Sequence, residues 1–263
     1  MNYKIAISAI FFFFALVELL RRRFLFKGET RAHDVILDVA SALVLPTIIV
    51  PMVYLAGAFI AEWAFPGSKN QWADLHPLLM FGILLIADDL TQYWWHRLSH
   101  TLPWLYRLHR AHHSANYLSI RVVYRNNFIY YAFMPGIWFS AMLVYWGFAP
   151  VYAWYIIMKL TVIISAHSSV PWDEALYQNR ITRPLMYLVE RVISTPATHS
   201  AHHGRHATDP GTYYKGNYGN FLFFWDVLFG TAKITRKRPA EFGLENIEPA
   251  NWFQELVWPF YRR

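Results

Sequence analysis

No cysteine occurs among the 263 residues. That absence excludes disulfides, thiolate metal ligands, Cys-ligated iron–sulfur clusters and a cysteine nucleophile, and it leaves the compartment open. Charge is also scarce. Charged residues make up 16% of the chain, whereas a soluble domain carries about a quarter. The sequence has no HExxH, so the general base of a zincin-type protease is missing. It shows no GxGxxG fingerprint and no Ser-His-Asp grouping. What is abundant is apolar (56%) and aromatic (19%). This composition points to lipid as the solvent for much of the surface, and the length suits one membrane domain over 1–263. The formal charge of +7 does not indicate nucleic acid, because the basic residues flank apolar runs.

Those runs predict five membrane spans, at 5–20, 36–65, 75–95, 128–148 and 151–166. The first ends in Arg21-Arg22-Arg23. A secretory signal would carry its charge before the apolar run, so this span is read as retained. Pro46 and Pro51 lie inside the second span, where a kink accommodates them. The fourth and fifth spans, joined near Pro150, form a helical hairpin ending at His167. Beyond it, 172–194 has the pattern of an amphipathic interfacial helix, which Thr195-Pro196 breaks.

With five alternating spans, Arg21, Arg22, Arg23, Lys27 and Arg31 fall on one side. Arg97, Arg107, Arg110, Arg121 and Arg125 share that side, as do the basic residues from Arg180 to Arg263. The opposite side has only Lys4 and Lys69. The positive-inside rule then places the N-terminus outside and the first group of charges in the cytoplasm.

That cytoplasmic side also carries three histidine clusters: His96 and His100; His109, His112 and His113; and His199, His202 and His203. Residues three and four apart share a helix face. Neutral imidazole is a common ligand for zinc, iron, copper and nickel. Eight such groups exceed the needs of one tetrahedral zinc, so two metals with open positions are expected. His167, at the cytoplasmic end of the fifth span, is a further candidate. His33 and His76 read as interfacial residues, and His206 as a solvent-facing one. Asp89 lies two helical turns before His96, where it could orient a ligand.

The segments DLTQYWWHRLSH, LHRAHHSANYLSIRVVYRNN and STPATHSAHHGRH, followed by KGNYGNFLFFWDVLFGTA, resemble the fatty acid hydroxylase superfamily, also called the sterol desaturase family. The resemblance covers 80–235 and departs from some members at Thr101 and Pro171. It implies an all-α polytopic membrane bundle with a cytoplasmic histidine-rich cap. It also implies a di-iron centre using O2, ligated by His96, His100, His109, His112, His113, His167, His199, His202 and His203. Asn217 and Asp226, in its NYG and WDxLFGT motifs, would play supporting roles.

The expected function is hydroxylation of an unactivated C–H bond in a lipid, with desaturation on the same centre as the alternative. A membrane metal transporter would place polar ligands near the midplane, where Lys159 is the clear charge. A zinc-dependent hydrolase has no evident general base. Trp138, Tyr145 and Trp154 are candidates to line the lipid cavity. The chain shows no haem domain, so an external donor is expected, a ferredoxin or a cytochrome b5-type protein with its reductase. It would dock on the face carrying Arg97, Arg107, Arg110, Arg121 and Arg125. A bacterial inner membrane is favoured over the endoplasmic reticulum.

Overall fold

The computed structural model describes residues 3–25, 30–245 and 250–261. Lys27 and Arg263, which enter the charge argument, lie outside them. The described residues are helical and contain no strand, with one isolated β-bridge between Gly204 and Phe242.

Helix α1 (Tyr3–Leu20) is followed by α2 (Ala32–Val44) and α3 (Val50–Ala64). A wide π turn over Leu45–Ile49 joins the last two into one rod. Pro46 lies in that turn and Pro51 opens α3. Each lacks an N–H, and the rod absorbs both by widening its turn rather than ending. Helix α4 (Pro77–Leu84) runs through a second π turn, Leu85–Leu90, into α5 (Thr91–Ser99). Pro103 sets the first turn of α6 (Pro103–His113), and Asn127 caps α7 (Phe128–Ala132). Helices α8 (Pro135–Leu143) and α9 (Ala149–Ala166) follow. Short helices complete the cap: α10 (Trp172–Gln178), α11 (Arg183–Val192), α12 (Pro196–His202), α13 (Phe224–Leu228) and α14 (Trp252–Val257).

Among the described residues, three stretches are long and apolar enough to cross a membrane: Tyr3–Leu20, Ala32–Ala64 and Pro135–Ala166. Their outer faces present Phe12, Leu55, Phe59 and Trp63, all exposed as lipid contact requires. The expected span at 75–95 is helical but is not among the three. Asp88, Asp89 and Gln92 interrupt its apolar run, and all three are buried. The expected span at 128–148 is broken after α7, and its apolar part continues past 148. Gly147, with φ of 115°, is the one non-helical point in Pro135–Ala166. There the chain reverses. Gly136 lies against Asp88 on the way in, where a Cβ would clash with Oδ1. Lys159 Nζ meets the other oxygen of Asp88 at 2.8 Å on the way out. The predicted hairpin therefore exists, and the mid-span charge of Lys159 is neutralised by an ion pair.

The interfacial segment forms two helices instead of one. α11 exposes Leu185, Leu188 and Val192, while Thr195 caps α12 by accepting from Thr198 N.

The basic face expected to receive a donor is largely spent inside the fold. Arg125 is wholly buried, with ion pairs to Asp34 (2.9 Å) and Asp38 (3.1 Å). Arg121 pairs with Asp38 and Arg110 with Glu255. Among the described residues, only Arg97 and Arg107 of the five form no ion pair, and they lie over Trp94 and Trp258. Spacing along the chain showed the charges but not the carboxylates that α2 and α14 bring to them.

Candidate metal centre

The nine histidines singled out above come together at one end of the bundle. Helix α5 brings His96 and, at its C-terminal cap, His100. Helix α6 brings His109, His112 and His113, α9 ends on His167, and α12 brings His199, His202 and His203. They divide into two groups, within each of which one nitrogen per ring lies within 4.8 Å of the others. The first holds His96, His100, His109, His113 and His202. The second holds His112, His167, His199 and His203.

The division cuts through both HxxHH motifs. Adjacent helical residues point about 100° apart while residues at i and i+4 align. His109 and His113 therefore face one group and His112 the other. On α12 the assignment reverses, with His202 in the first group and His199 and His203 in the second. The two helices thus interlock the two groups.

Backbone carbonyls fix the outer nitrogens. His96 Nδ1 donates to Tyr218 O at 2.7 Å, and His202 Nδ1 to Gly216 O at 2.7 Å. His167 Nδ1 donates to Ile163 O at 2.8 Å, and His112 Nδ1 lies 3.1 Å from Val122 O and 3.2 Å from Arg125 O. A carbonyl only accepts, so Nδ1 carries the proton and Nε2 of a neutral ring is a bare lone pair. Burial keeps the rings neutral, pushing the pKa of His96 and of His167 down to about 4 and the others in the cluster well below the usual value. Yet His96 Nε2 and His202 Nε2 are 3.1 Å apart, and His112 Nε2 and His167 Nε2 are 3.3 Å apart. Lone pairs facing each other at that range repel unless a cation lies between them. His100 Nε2 is moreover buried without a hydrogen-bond partner. The donor set fits two soft-to-borderline metal ions, one per group.

The loop that supplies Gly216 O and Tyr218 O is itself tied down. Asp226 accepts from Tyr218 N (2.8 Å), Gly219 N (2.6 Å) and Thr231 Oγ1 (2.6 Å). Asn217, at φ of 59°, donates to Thr198 O and Lys233 O, both at 2.9 Å, and accepts from Lys233 N. The NYG and WDVLFGT segments therefore act through backbone carbonyls, which no side-chain pattern announces. Arg125 grips α6 from the other side, donating Nε to Ala111 O at 2.7 Å.

Other residues singled out in the sequence do not touch the histidines. Asp89 makes no bond to a histidine. It accepts from Trp225 Nε1 (2.8 Å) and Leu222 N (3.2 Å), anchoring α13. Trp138, Tyr145 and Trp154 are not brought to the histidines. Trp138 donates to Ala132 O, Tyr145 bonds Glu62, and Trp154 is 62% exposed on the outer face of α9. Their spacing along a span did not reveal which way the helix is rotated. His76 caps α4 by accepting from Leu78 N, and His33 stands outside both groups. His206 is held by Glu245 and Glu241 at the surface, which raises its pKa.

Three comparisons bear on this arrangement. The family model described as fatty acid hydroxylase matches residues 81–231. An ornithine lipid hydroxylase of Rhizobium tropici is 26% identical over 211 residues, covering 80% of this chain and 59% of that protein. Alkylglycerol monooxygenase of Danio rerio is 31% identical over 149 residues, and that of Homo sapiens 26% over 180. These matches cover 57% and 67% of this chain but only 29% and 35% of those proteins, so the chain spans less than two thirds of each of these three relatives. No solved structure matches it.

Proposed function

The chain belongs to the fatty acid hydroxylase family, and from that premise we propose that it is an integral membrane oxygenase that hydroxylates an unactivated C–H bond of a lipid. The observation that carries the reading is the sorting of nine histidines, eight buried and His100 half-buried, into two groups whose bare nitrogens face one another. Relatives named as a lipid hydroxylase and as monooxygenases favour hydroxylation over desaturation.

The first group would hold one iron ion and the second group the other. When bound, the pair would supply the activation of O2, drawing two electrons per turnover from a separate reductant of the ferredoxin or cytochrome b5 type. The protein's own part is positional. Gly216 O and Tyr218 O orient the first group and Ile163 O and Val122 O the second, so that all four rings present Nε2 inward. Burial of eight of the nine rings limits access of bulk water to the centre. A transporter fits less well, because Lys159 and Asp88 satisfy each other and, among the described residues, no further group of metal-ligating side chains lies along the spans.

The test is a comparison of lipid extracts from cells with and without the protein, grown under 18O2. The reading requires a lipid heavier by one labelled oxygen, present only with the active protein and absent from a His202→Ala strain. A new double bond without labelled oxygen would assign desaturation instead.

A further inference from the structure

A second polar feature lies beside the metal centre and takes no part in holding it. Three guanidinium groups converge there from distant parts of the chain: Arg23 past the end of α1, Arg205 two residues after His203, and Arg238 in the long segment before α14. They line a cavity of about 550 Å3, together with Asn116, Ser169 and Glu241. That size suits a small-molecule headgroup.

Among the described residues, arginine outnumbers carboxylate in this lining. Glu241 is the one carboxylate among the described residues of its lining, and it is engaged by Arg205 Nη1 at 3.1 Å and by His206 at 3.4 Å. Arg205 Nε is buried with no hydrogen-bond partner. Arg23 donates Nη1 to Ser169 O at 3.1 Å, and among the described residues it forms no ion pair. Arg238 stacks its guanidinium over Phe242, 5.2 Å from the ring centre. Burial, and then the charge of Arg23, press its pKa down to about 10. Cations held together with an orphaned donor are the recognition chemistry of an oxyanion, which guanidinium forks bind bidentately.

The cavity is coupled to the catalytic end by chain continuity. Asn116 follows His113 by three residues and Ser169 follows His167 by two. Its far wall is bridged to the segment after His203, with Arg205 N donating to Glu241 O at 3.0 Å and Gly243 N to His203 O at 3.4 Å. On its other side Arg23 is shared with a second cavity of about 610 Å3, where Val17 of α1 faces Val170, Pro171, Trp172 and Ala175. That groove is apolar apart from Arg21, Arg23, Glu174 and Gln178, and it opens beside an apolar helix whose outer face suits lipid. A polar anion-binding end next to an apolar groove matches an amphiphile more closely than a free ion.

We propose that the cleft of Arg23, Arg205 and Arg238 binds the anionic headgroup, phosphate or carboxylate, of the lipid substrate. This rests on the lipid-hydroxylase reading above, and it restricts the substrate class to lipids with an acidic oxyanion in the head.

The metal-loaded full-length protein in a neutral detergent is titrated calorimetrically with dihexanoyl phosphatidic acid, dihexanoylglycerol and inorganic phosphate. Phosphatidic acid should bind saturably and dihexanoylglycerol should not. Arg238→Gln and, separately, Arg205→Gln should each weaken binding roughly tenfold or more, as loss of a charge-assisted hydrogen bond implies, with metal content unchanged. Arg238→Lys should restore part of the loss. Equal binding of the neutral lipid, or full affinity in both glutamine variants, would overturn the proposal. Phosphate binding as tightly as phosphatidic acid would assign the site to a free oxyanion and overturn the lipid assignment. Anionic-lipid binding that survives where no lipid is hydroxylated would support this site while the oxygenase reading failed.

Discussion

His112 and His113 are neighbours in the chain and belong to different metal groups, as do His202 and His203. Single substitutions should therefore act unequally on the two sites. His202→Ala should empty mainly the first group and His112→Ala mainly the second, each lowering bound metal by about half and abolishing hydroxylation. His100→Ala should also weaken the first group, while His33→Ala and His206→Ala retain full metal. Elemental analysis of the purified variants decides this, and full metal in His112→Ala and His202→Ala would remove the basis of the assignment. Asp226→Asn probes the supporting loop. It keeps the shape but weakens the acceptor for Tyr218 N and Gly219 N, so metal affinity should fall by about 10–100-fold, the scale of an outer-ligand change, with the helical content unchanged. The histidines were legible in the sequence because metal ligation uses side chains at helical spacing. Their partition was not, since it depends on how α6 and α12 are rotated about each other. The carbonyls of Gly216 and Tyr218 were invisible for a different reason, since any residue carries one.

Helix α2 illustrates how an element far from the chemistry sets it. Its Asp34 and Asp38 hold Arg125, which in turn holds the last turn of α6 through Ala111 O and Ser114 Oγ. A cation there also complements the negative end of the α6 dipole. Removing one partner of a buried ion cluster leaves the other charges uncompensated. Arg125→Met should therefore cost about 3–5 kcal/mol, read as a lower unfolding temperature in detergent, and Arg125→Lys should recover little because a point charge cannot serve four acceptors. A stability unchanged in the methionine variant would show that the cluster does not anchor α6. The sequence revealed the helices of this bundle through their apolar runs, and the hairpin through its length. What it did not show is why 75–95 and 128–148 differ from simple spans: Asp88 pairs with Lys159, 71 residues on, Asp89 with Trp225, 136 residues on, and the turn at Gly147 is a matter of backbone geometry.

At the scale of the whole molecule, the apolar stretches and the family place the chain in a membrane, and the histidine groups gather at one end of the bundle. The charge pattern of the sequence puts lysine and arginine on the histidine side of the spans, so the expected orientation has the metal centre at the cytoplasmic face. A reporter fused after Arg263 should be active in its cytoplasmic form alone, and activity in the external form would reverse the orientation while leaving the site intact. The central claim is that this end holds two iron ions, one for each histidine group. The most direct measurement is the iron content per chain of protein purified from iron-replete cells, taken together with the Mössbauer spectrum. The account predicts two irons per chain in nitrogen-rich environments, falling toward one in His112→Ala and in His202→Ala. A single metal per chain, or zinc at full occupancy in an enzyme that still hydroxylates lipid, would contradict it.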